Sequence, residues 1–415
     1  MMEEKKNKKL YIATIGTGAS GVDIAHAIYF AVNDKNPDAA VFIVSKETKE
    51  KTLPYIEEKL RSDKPNLVYF KELVEEVNEF EILHKAYIDI IKRYIKQGYT
   101  ANNIVVDYTS GTKSMSAALV SAGIAADVGL ISYTYGERGD GGRVKAGSEK
   151  ITSLSTNLFT TEKKISEAIV LFNKNLFDAA CGLLSSFYDL PHPDYQEKIK
   201  FIIQLSRALS NWDKFDFNAA FEILNKMMKD DKLSREAQRL GVGINKLTQA
   251  ANVLKVKKSD EYKVIELVAN AKRRSKECKY DDAVARLYRA LEMIGQIEFS
   301  KEFNCETSDV NIENIPLYLR EEIKSKYFDN KDGKIKLPLF ATFDLLKEKN
   351  NKMGILFSVN NDEINRVLQL RNYSILAHGN IPLDERKFND ALKLIVLFTS
   401  SINLEIEIPD FPRLR

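Results

Sequence analysis

Residues 1–155 alternate between two patterns of hydrophobic and polar positions. Short apolar runs rich in β-branched side chains predict strands, and the stretches between them repeat apolar residues with the period of an amphipathic helix. Such alternation is typical of βα units, so this part is predicted to be a Rossmann-like α/β domain with a parallel sheet. Strands are predicted at residues 10–15, 41–44, 67–70, 104–107 and 129–135. Helices are predicted to begin near residues 20, 48 and 113, and the longest to cover residues 74–97.

After residue 155 the strand pattern stops and the helical period continues almost without interruption. Residues 156–257 are predicted to form a helical connector, and residues 258–415 a separate all-helical bundle. Polar loops are expected within the bundle at residues 304–314 and 329–333. Trp212 is expected to lie in the core of the connector.

Composition and charge fit a globular protein. The chain is 44% hydrophobic and 29% charged, and no Pro-, Gly- or Ser-rich tract suggests a long disordered linker. Its net charge is only +3, so any contact with RNA has to be local. The most apolar stretch, residues 117–131, contains Asp127 and fits a buried helix and strand better than a membrane span. We therefore expect a cytoplasmic protein without membrane contact.

The few cysteines and histidines are scattered along the chain. No pair has the close spacing of zinc ligands, and an odd number of distant cysteines is typical of a reducing compartment. The sequence thus predicts no structural metal and no cofactor. Three of the histidines, His26, His84 and His192, are expected to be surface or capping residues.

The first candidate site is the glycine loop at residues 16–21, Gly-Thr-Gly-Ala-Ser-Gly, which follows the first strand and opens a helix. Glycines allow a phosphate to approach the backbone, and a helix N-terminus offers free N–H donors. A nicotinamide cofactor is disfavoured, because Glu47 stands one position late for the acidic residue expected after the second strand. The alternative is a tight strand-to-helix turn without a ligand.

The second candidate site is the loop at residues 107–115, Asp-Tyr-Thr-Ser-Gly-Thr-Lys-Ser-Met, after a central strand. It places hydroxyls, a glycine and Lys113 at the start of a helix, which fits a phosphate cradle. The Gly-Lys-Ser/Thr order of a Walker A loop is absent, so ATP hydrolysis is disfavoured. The alternative is a capped helix with an exposed Lys113.

These two loops, above all the second, resemble the CARF domain of CRISPR-associated accessory proteins of type III systems. The resemblance implies that the domain forms a homodimer and binds cyclic oligoadenylate across the two-fold axis. It leaves the ring size of this activator open. The residues that the resemblance places in the ligand pocket are Gly16, Thr17, Gly18, Ser20, Thr109, Ser110, Gly111, Thr112 and Lys113.

A third candidate site lies in the C-terminal bundle, where residues 365–379 are predicted to form one helix ending at a glycine. Seven residues are nearly two helical turns, so Arg371 and His378 would project from one face, about 10 Å apart along the axis. The helix dipole would favour protonated His378. Metal-independent RNA cleavage needs a base, an acid and positive charge, which these two side chains can supply. The alternative is that both are ordinary surface residues.

The residues around this pair resemble the catalytic motif of HEPN ribonucleases, which is an arginine, commonly with a polar neighbour, followed within a few residues by histidine. Here Asn372 is the polar neighbour, and six residues separate Arg371 from His378, at the long end of the family's spacing. Residues 280–292 resemble the first helix of that bundle. The resemblance implies a composite active site to which two protomers each give Arg371 and His378, with Asn372 helping to position the groups.

Together, the two resemblances imply a metal-independent endoribonuclease that cleaves single-stranded RNA in type III CRISPR antiviral defence when cyclic oligoadenylate binds. One alternative is a catalytically inactive nucleotide-sensing module, and another is a nucleotide-cofactor enzyme that uses the Gly16 loop. Degradation of the activator by the N-terminal domain is a further possibility that no residue establishes. Arg286, Arg289 and Glu292 are either substrate contacts or a charge cluster that is solvated or faces the dimer partner.

Overall fold

The computed structural model divides the chain into two compact units, each described here by itself. The first comprises residues 1–165 and 189–195, and the second residues 166–188 and 196–415. The described residues are 7–18, 21–137, 147–186, 192–256, 260–374, 380–400, 402 and 404–415.

The first unit contains a six-stranded sheet. Its strands are β1 (Leu10–Thr14), β2 (Ala39–Val44), β3 (Val68–Leu73), β4 (Ile104–Asp107), β5 (Leu130–Tyr135) and β6 (Lys150–Ser155). Their order is β3-β2-β1-β4-β5-β6; the first five are parallel and β6 pairs antiparallel to β5. The predicted parallel α/β sheet is confirmed, and the antiparallel edge strand β6 is an addition that the sequence pattern did not predict.

Five helices cover the two faces of this sheet: α1 (Val22–Lys35), α2 (Lys46–Lys51), α3 (Leu53–Asp63), α4 (Phe80–Lys96) and α5 (Lys113–Ala125). The central strands β1, β2 and β4 are buried at every position, because alternate residues pack into separate cores on opposite faces. The edge strands β3 and β6 are mostly exposed.

The longest predicted helix begins later than expected. The chain continues as strand β3 to Leu73, and α4 starts only at Phe80. Between them the Glu76 carboxylate accepts hydrogen bonds from the backbone N–H groups of the next three residues, at 2.8, 2.7 and 3.2 Å. This side chain binds amides that a helix starting at residue 74 would use, and so holds a turn there.

The second unit is helical. The boundary between the two units falls within helix α6 (Asn157–Asn173). The predicted connector, residues 156–257, continues with α7 (Phe177–Ser185), α8 (Gln196–Asp213), α9 (Phe217–Lys229), α10 (Asp231–Arg239) and α11 (Ile244–Leu254). The predicted bundle, residues 258–415, contains α12 (Asp260–Lys276), α13 (Tyr280–Phe303), α14 (Arg320–Tyr327), α15 (Leu339–Glu348), α16 (Lys352–Val359), α17 (Asn361–Tyr373) and α18 (Glu385–Thr399). A small hairpin of β7 (Phe328–Asp329) and β8 (Lys334–Ile335) lies between α14 and α15 in the sequence. Apart from residues 156–165 and 189–195, the predicted connector and bundle fall in one compact unit. The predicted helical fold class is confirmed. In the described ranges every helix is too short or too polar to cross a membrane.

Helix α13 is the central element of the bundle, and its buried face packs in one core with residues of α12, α15, α17 and α18. Gly295 lies where α13 meets α15: a Cβ atom there would stand 2.8 Å from the Phe343 ring. The glycine therefore allows close contact between these two helices.

A buried ionic cluster joins α8 to α12. The Asp213 carboxylate accepts hydrogen bonds from Asn270 Nδ2 at 3.0 Å and Arg273 Nε at 2.8 Å, and it pairs with Arg274. Arg273 also pairs with Glu266, which is fully buried. Burial raises the pKa of the Glu266 carboxyl, and Arg273 opposes that rise. The cluster thus ties α8 to α12 through charged side chains that are almost entirely buried.

Residues that follow the bundle helices return to the connector. Phe411 packs edge to face on Phe177 and Trp212, with ring centroids 5.5 and 5.7 Å away. The backbone N–H and carbonyl of Leu414 both hydrogen-bond the Asn173 side-chain amide, at 2.9 Å each. Trp212 is fully buried, as predicted. The hairpins of the connector are therefore closed by a segment far away in the sequence.

Candidate ligand loops and candidate nuclease site

The two candidate ligand loops lie side by side at the carboxyl edge of the sheet. They follow β1 and β4, which are neighbouring parallel strands. The order of the sheet reverses between these strands, since β2 and β3 lie on one side and β5 and β6 on the other. Open α/β sheets bind ligands in the crevice at this topological switch point.

Direct contacts hold the two loops together. The backbone N–H of Gly16 donates to Ser110 Oγ at 2.6 Å, and the Thr14 hydroxyl donates to the Ser110 carbonyl at 2.5 Å. A Cβ atom on Gly16 would stand 2.7 Å from the backbone nitrogen of Gly111. Glycine at position 16 is thus required by the approach of the second loop, and Ser110 is buried where the loops meet.

The threonines of the second loop also support its shape. Thr109 Oγ1 accepts a hydrogen bond from the backbone N–H of Thr134 on β5, at 2.8 Å. Thr112 Oγ1 accepts from the N–H of Met115 at 3.1 Å, capping α5, and donates to the Val77 carbonyl at 2.5 Å. Their hydroxyls consequently fix the loop from within.

Among the described residues of the two loops, Gly18, Gly111 and Lys113 are exposed. Both glycines have positive φ, +56° and +112°, a conformation that other residues rarely adopt. The loops therefore present exposed backbone and one lysine ammonium, which suit an anionic ligand. Ser20, which the resemblance also places in the pocket, lies outside the described residues.

Asp107 is buried directly beneath the second loop. Its Oδ1 accepts a hydrogen bond from the backbone N–H of Thr109 at 2.9 Å. Burial raises the pKa of the Asp107 carboxyl, and the hydrogen bonds from Thr109 oppose that rise. Asp107 thus supports the turn that carries the predicted ligand residues.

A row of stacked tyrosines next to this loop was not found from the sequence. Tyr108 stacks on Tyr133 with centroids 5.0 Å apart, and Tyr133 on Tyr135 at 6.4 Å. The signal for part of the row was the i, i+2 spacing of Tyr133 and Tyr135, which puts both on one face of β5. The position of Tyr108 depends on strand pairing and leaves no local pattern.

A polar cavity of about 600 Å³ opens beside the first loop. It is lined by residues of that loop and of α2 and α3, which include Thr17, Gly18, Gly21, Glu47, Lys51 and Tyr55. The acidic residue that stands one position late for a nicotinamide site, Glu47, thus lies near the loop.

The helix that carries the third candidate site is shorter than predicted. Helix α17 ends at Tyr373, and Ser374 has an extended backbone with φ −74° and ψ 156°. The Ser374 hydroxyl and N–H both donate to the Arg371 carbonyl, at 2.9 and 3.2 Å, which ends the helix in a side-chain cap. The prediction of one helix over residues 365–379 is wrong, and the two-turn spacing and dipole effect inferred from it no longer apply.

His378 itself lies outside the described residues. The chain is described again from residue 380, and the Ile381 N–H donates to the Tyr373 carbonyl at 3.1 Å. This hydrogen bond joins Ile381 to Tyr373, which is two residues after Arg371.

Arg371 lies half-buried in the last turn of α17. The central carbon of its guanidinium stands 5.1 Å from the centroid of the Tyr288 ring on α13, and Nη1 donates to Asn372 Oδ1 at 3.0 Å. Burial, followed by a hydrogen bond to Glu292, raises the pKa of Tyr288 to about 12. The family resemblance assigned residues 280–292 of α13 to the first helix of the bundle but did not single out Tyr288.

The other charged residues of α13 have partners of their own. Arg286 pairs with Asp282 and donates to Asn270 of the buried cluster. Arg289 pairs with Glu292 at 3.2 Å. These contacts favour a structural role for Arg286. In the described part of the chain, no three His, Cys, Asp or Glu side chains are grouped so that they could hold a metal ion.

Two protein-family models match this chain between residues 161 and 401, and one solved structure has a similar fold. A model of the Csm6 6H domain matches residues 161–254, and a model of the Csm6 HEPN domain matches residues 252–401. The structure of Enterococcus italicus Csm6 bound to cyclic hexa-2'-fluoro-hexa-dAMP is 14% identical, with 94% of each chain covered and a TM-score of 0.62. No curated protein sequence matches. Taken with the two glycine loops on the Rossmann-like sheet, these matches show that the chain belongs to the Csm6 family of CARF–HEPN proteins.

Proposed function

We propose that this protein is a metal-independent endoribonuclease that cleaves single-stranded RNA in type III CRISPR defence and is switched on by cyclic oligoadenylate. The observation that carries the proposal is the position of Arg371 and Asn372 in the segment that the Csm6 HEPN model matches. The Arg371 guanidinium lies over the Tyr288 ring. Among the described residues of this unit, Arg371 is not a member of any ion pair. A guanidinium in this state can bind the phosphate of an RNA chain.

In the proposed reaction Arg371 stabilises the charge that develops on the phosphorane-like transition state. His378 transfers protons as general base or acid, so the 2′-hydroxyl of RNA attacks the adjacent phosphorus and the 5′-oxygen leaves. The products are a 2′,3′-cyclic phosphate and a 5′-hydroxyl, and no cofactor takes part. Asn372, whose amide oxygen accepts from Arg371, orients the guanidinium. Two protomers of a homodimer would each contribute these residues.

The proposed activator site is the pair of loops at the switch point of the sheet. The E. italicus Csm6 relative was solved with a cyclic oligonucleotide bound. In this chain, exposed backbone at Gly18 and Gly111 and the Lys113 ammonium can face the phosphates of such a ring. Gly16, Thr17, Ser20, Thr109, Ser110 and Thr112 complete the proposed pocket. We propose that residues 1–155 sense the activator, residues 156–257 connect, and residues 258–415 cleave.

The test is cleavage of a labelled single-stranded RNA with each cyclic oligoadenylate ring size, with and without a metal chelator. We expect one ring size to switch on cleavage that the chelator leaves unchanged. Arg371→Ala and His378→Ala should each reduce the activated rate about 100- to 1000-fold, because transition-state charge or proton transfer is lost. Lys113→Ala should raise the activator concentration needed for half-maximal rate about tenfold.

Arg207→Ala, which removes an exposed arginine on α8, is the matched control and should cleave at the wild-type rate. A His378→Ala protein as active as wild type would refute the catalytic assignment. No cleavage with any ring size would favour the alternative of a catalytically inactive, nucleotide-sensing module.

A further inference from the structure

Arg371 differs from six other arginines of the second unit in the kind of group that it contacts. Arg239, Arg273, Arg274, Arg286, Arg289 and Arg320 each pair with a carboxylate. No such pair is found for Arg371 within the ranges that the structure describes; its neighbours there are the face of Tyr288 and the neutral amide of Asn372.

An aromatic ring holds a guanidinium without using up its capacity to bind an anion. The attraction comes from the negative face of the ring, whereas the five N–H donors lie in the guanidinium plane and point outward. A carboxylate would occupy the same donors that a phosphate needs and would neutralise the charge. The Tyr288 ring can thus fix the direction of Arg371 and leave its charge available.

The acidic residue one helical turn after Tyr288 on α13 has other partners. Glu292, one helical turn after Tyr288, pairs with Arg289 at 3.2 Å and bonds the Tyr288 hydroxyl. The hydroxyl therefore anchors the tyrosine at its far end, and the acid is not among the ion-pair partners of Arg371 in the described ranges.

We propose that Tyr288 is a positioning residue of the nuclease site, whose ring holds the Arg371 guanidinium with its N–H edge free for the scissile phosphate of RNA. The proposal deepens the proposed function and rests on it for the identity of the anion. The contact itself, between α13 and the last turn of α17, can be tested without cleavage.

The experiment compares Tyr288→Leu, which removes the ring, with Tyr288→Phe, which keeps the ring and removes only the hydroxyl. With activator present, Tyr288→Leu should lower kcat about tenfold with less than a twofold change in KM, because a misdirected guanidinium is felt mainly in the transition state. Tyr288→Phe should restore kcat to within about threefold of wild type, since the ring face remains. Thermal melting of both variants, measured alongside, shows whether they are folded.

A second readout in the same proteins is the ¹⁵N relaxation of the arginine Nε–Hε groups, with the Arg371 signal assigned from its loss in Arg371→Lys. The order parameter of Arg371 Nε should fall in Tyr288→Leu and stay near the wild-type value in Tyr288→Phe. Equal order in all three proteins overturns the positioning role, as does an unchanged kcat in Tyr288→Leu. If wild type does not cleave RNA but the order parameter falls as expected, the positioning role stands and the proposed nuclease function fails.

Discussion

The arginines of helix α12 and the arginine near the end of helix α17 belong to the same compact unit and have opposite surroundings. The Arg273 side chain is 8% exposed and lies between the carboxylates of Asp213 and Glu266. The central carbon of its guanidinium is 4.0 Å from the centroid of the Phe411 ring. Arg371 lies over the Tyr288 ring and donates a hydrogen bond to the Asn372 side-chain amide. Its contacts among the described residues include no acidic side chain. An arginine is therefore neutralised by acids at position 273, whereas at position 371 its described contacts leave the charge without an acidic partner.

The difference has an energetic cause. Charges removed from water are tolerated only when they are paired and hydrogen-bonded, so every member of the Asp213 cluster depends on the others. A half-buried guanidinium keeps part of its hydration and does not depend on a partner in this way. Stability and activity should thus respond differently to the same substitution at the two sites.

The largest expected effect comes from replacing each arginine by methionine. Arg273→Met should lower the free energy of unfolding by about 3–5 kcal/mol, because Asp213 and Glu266 are left buried without their cation. Arg371→Met should change it by less than about 0.5 kcal/mol. Urea unfolding followed by the fluorescence of Trp212, the single tryptophan, measures both values. Similar losses in the two variants would contradict the comparison.

A smaller effect is expected from pH. Burial raises the pKa of the Glu266 carboxyl above its ordinary value of 4.5, so its contribution to stability is fully present below that pH and is lost as pH rises through the higher folded-state value. Glu266→Gln, which does not titrate, should therefore show a flatter decrease in the free energy of unfolding between about pH 5 and neutral pH. Urea titrations of both proteins at a series of pH values give the difference. Parallel profiles would show that Arg273 keeps Glu266 charged throughout.

The smallest effect is expected next to the cluster. Lys214 pairs with Asp178 at 2.7 Å, but the two side chains are 61% and 72% exposed. Lys214→Ala should change the free energy of unfolding by at most about 0.5 kcal/mol and leave activated RNA cleavage at the wild-type rate. Lys214 directly follows Asp213 in the sequence but is exposed. If Lys214→Ala lowered the free energy of unfolding as much as Arg273→Met does, burial would not determine how much these ion pairs contribute to stability.

Features encoded by local patterns could be predicted from the sequence. The central strands are continuous apolar runs because helices cover both faces, and the glycine loops follow from their residues alone. Strand β6 was missed because its exposed edge position gives little hydrophobic signal. The helix end at Tyr373 was missed because the Ser374 hydroxyl competes for a helix carbonyl, which the hydrophobic period does not reveal.

Contacts between distant parts of the chain could not be predicted in this way. Asn270, Arg273 and Arg274 stand 57, 60 and 61 positions after Asp213, so only the packing of α12 against α8 shows that they share its carboxylate. The contact between Tyr288 and Arg371 likewise depends on how two helices cross. The motif pattern identified the arginine of the candidate site, and the fold was needed to identify what holds it.

The return of Leu414 to Asn173 affects the order in which this protein can assemble during synthesis. The two residues are 241 positions apart, and all of the HEPN-matched segment lies between them. At a translation rate of about 5–20 residues per second, roughly 10–50 s pass after Asn173 is made before Leu414 is available. The connector hairpins that start at α6 thus reach their final packing only once the ribosome has finished the nuclease segment.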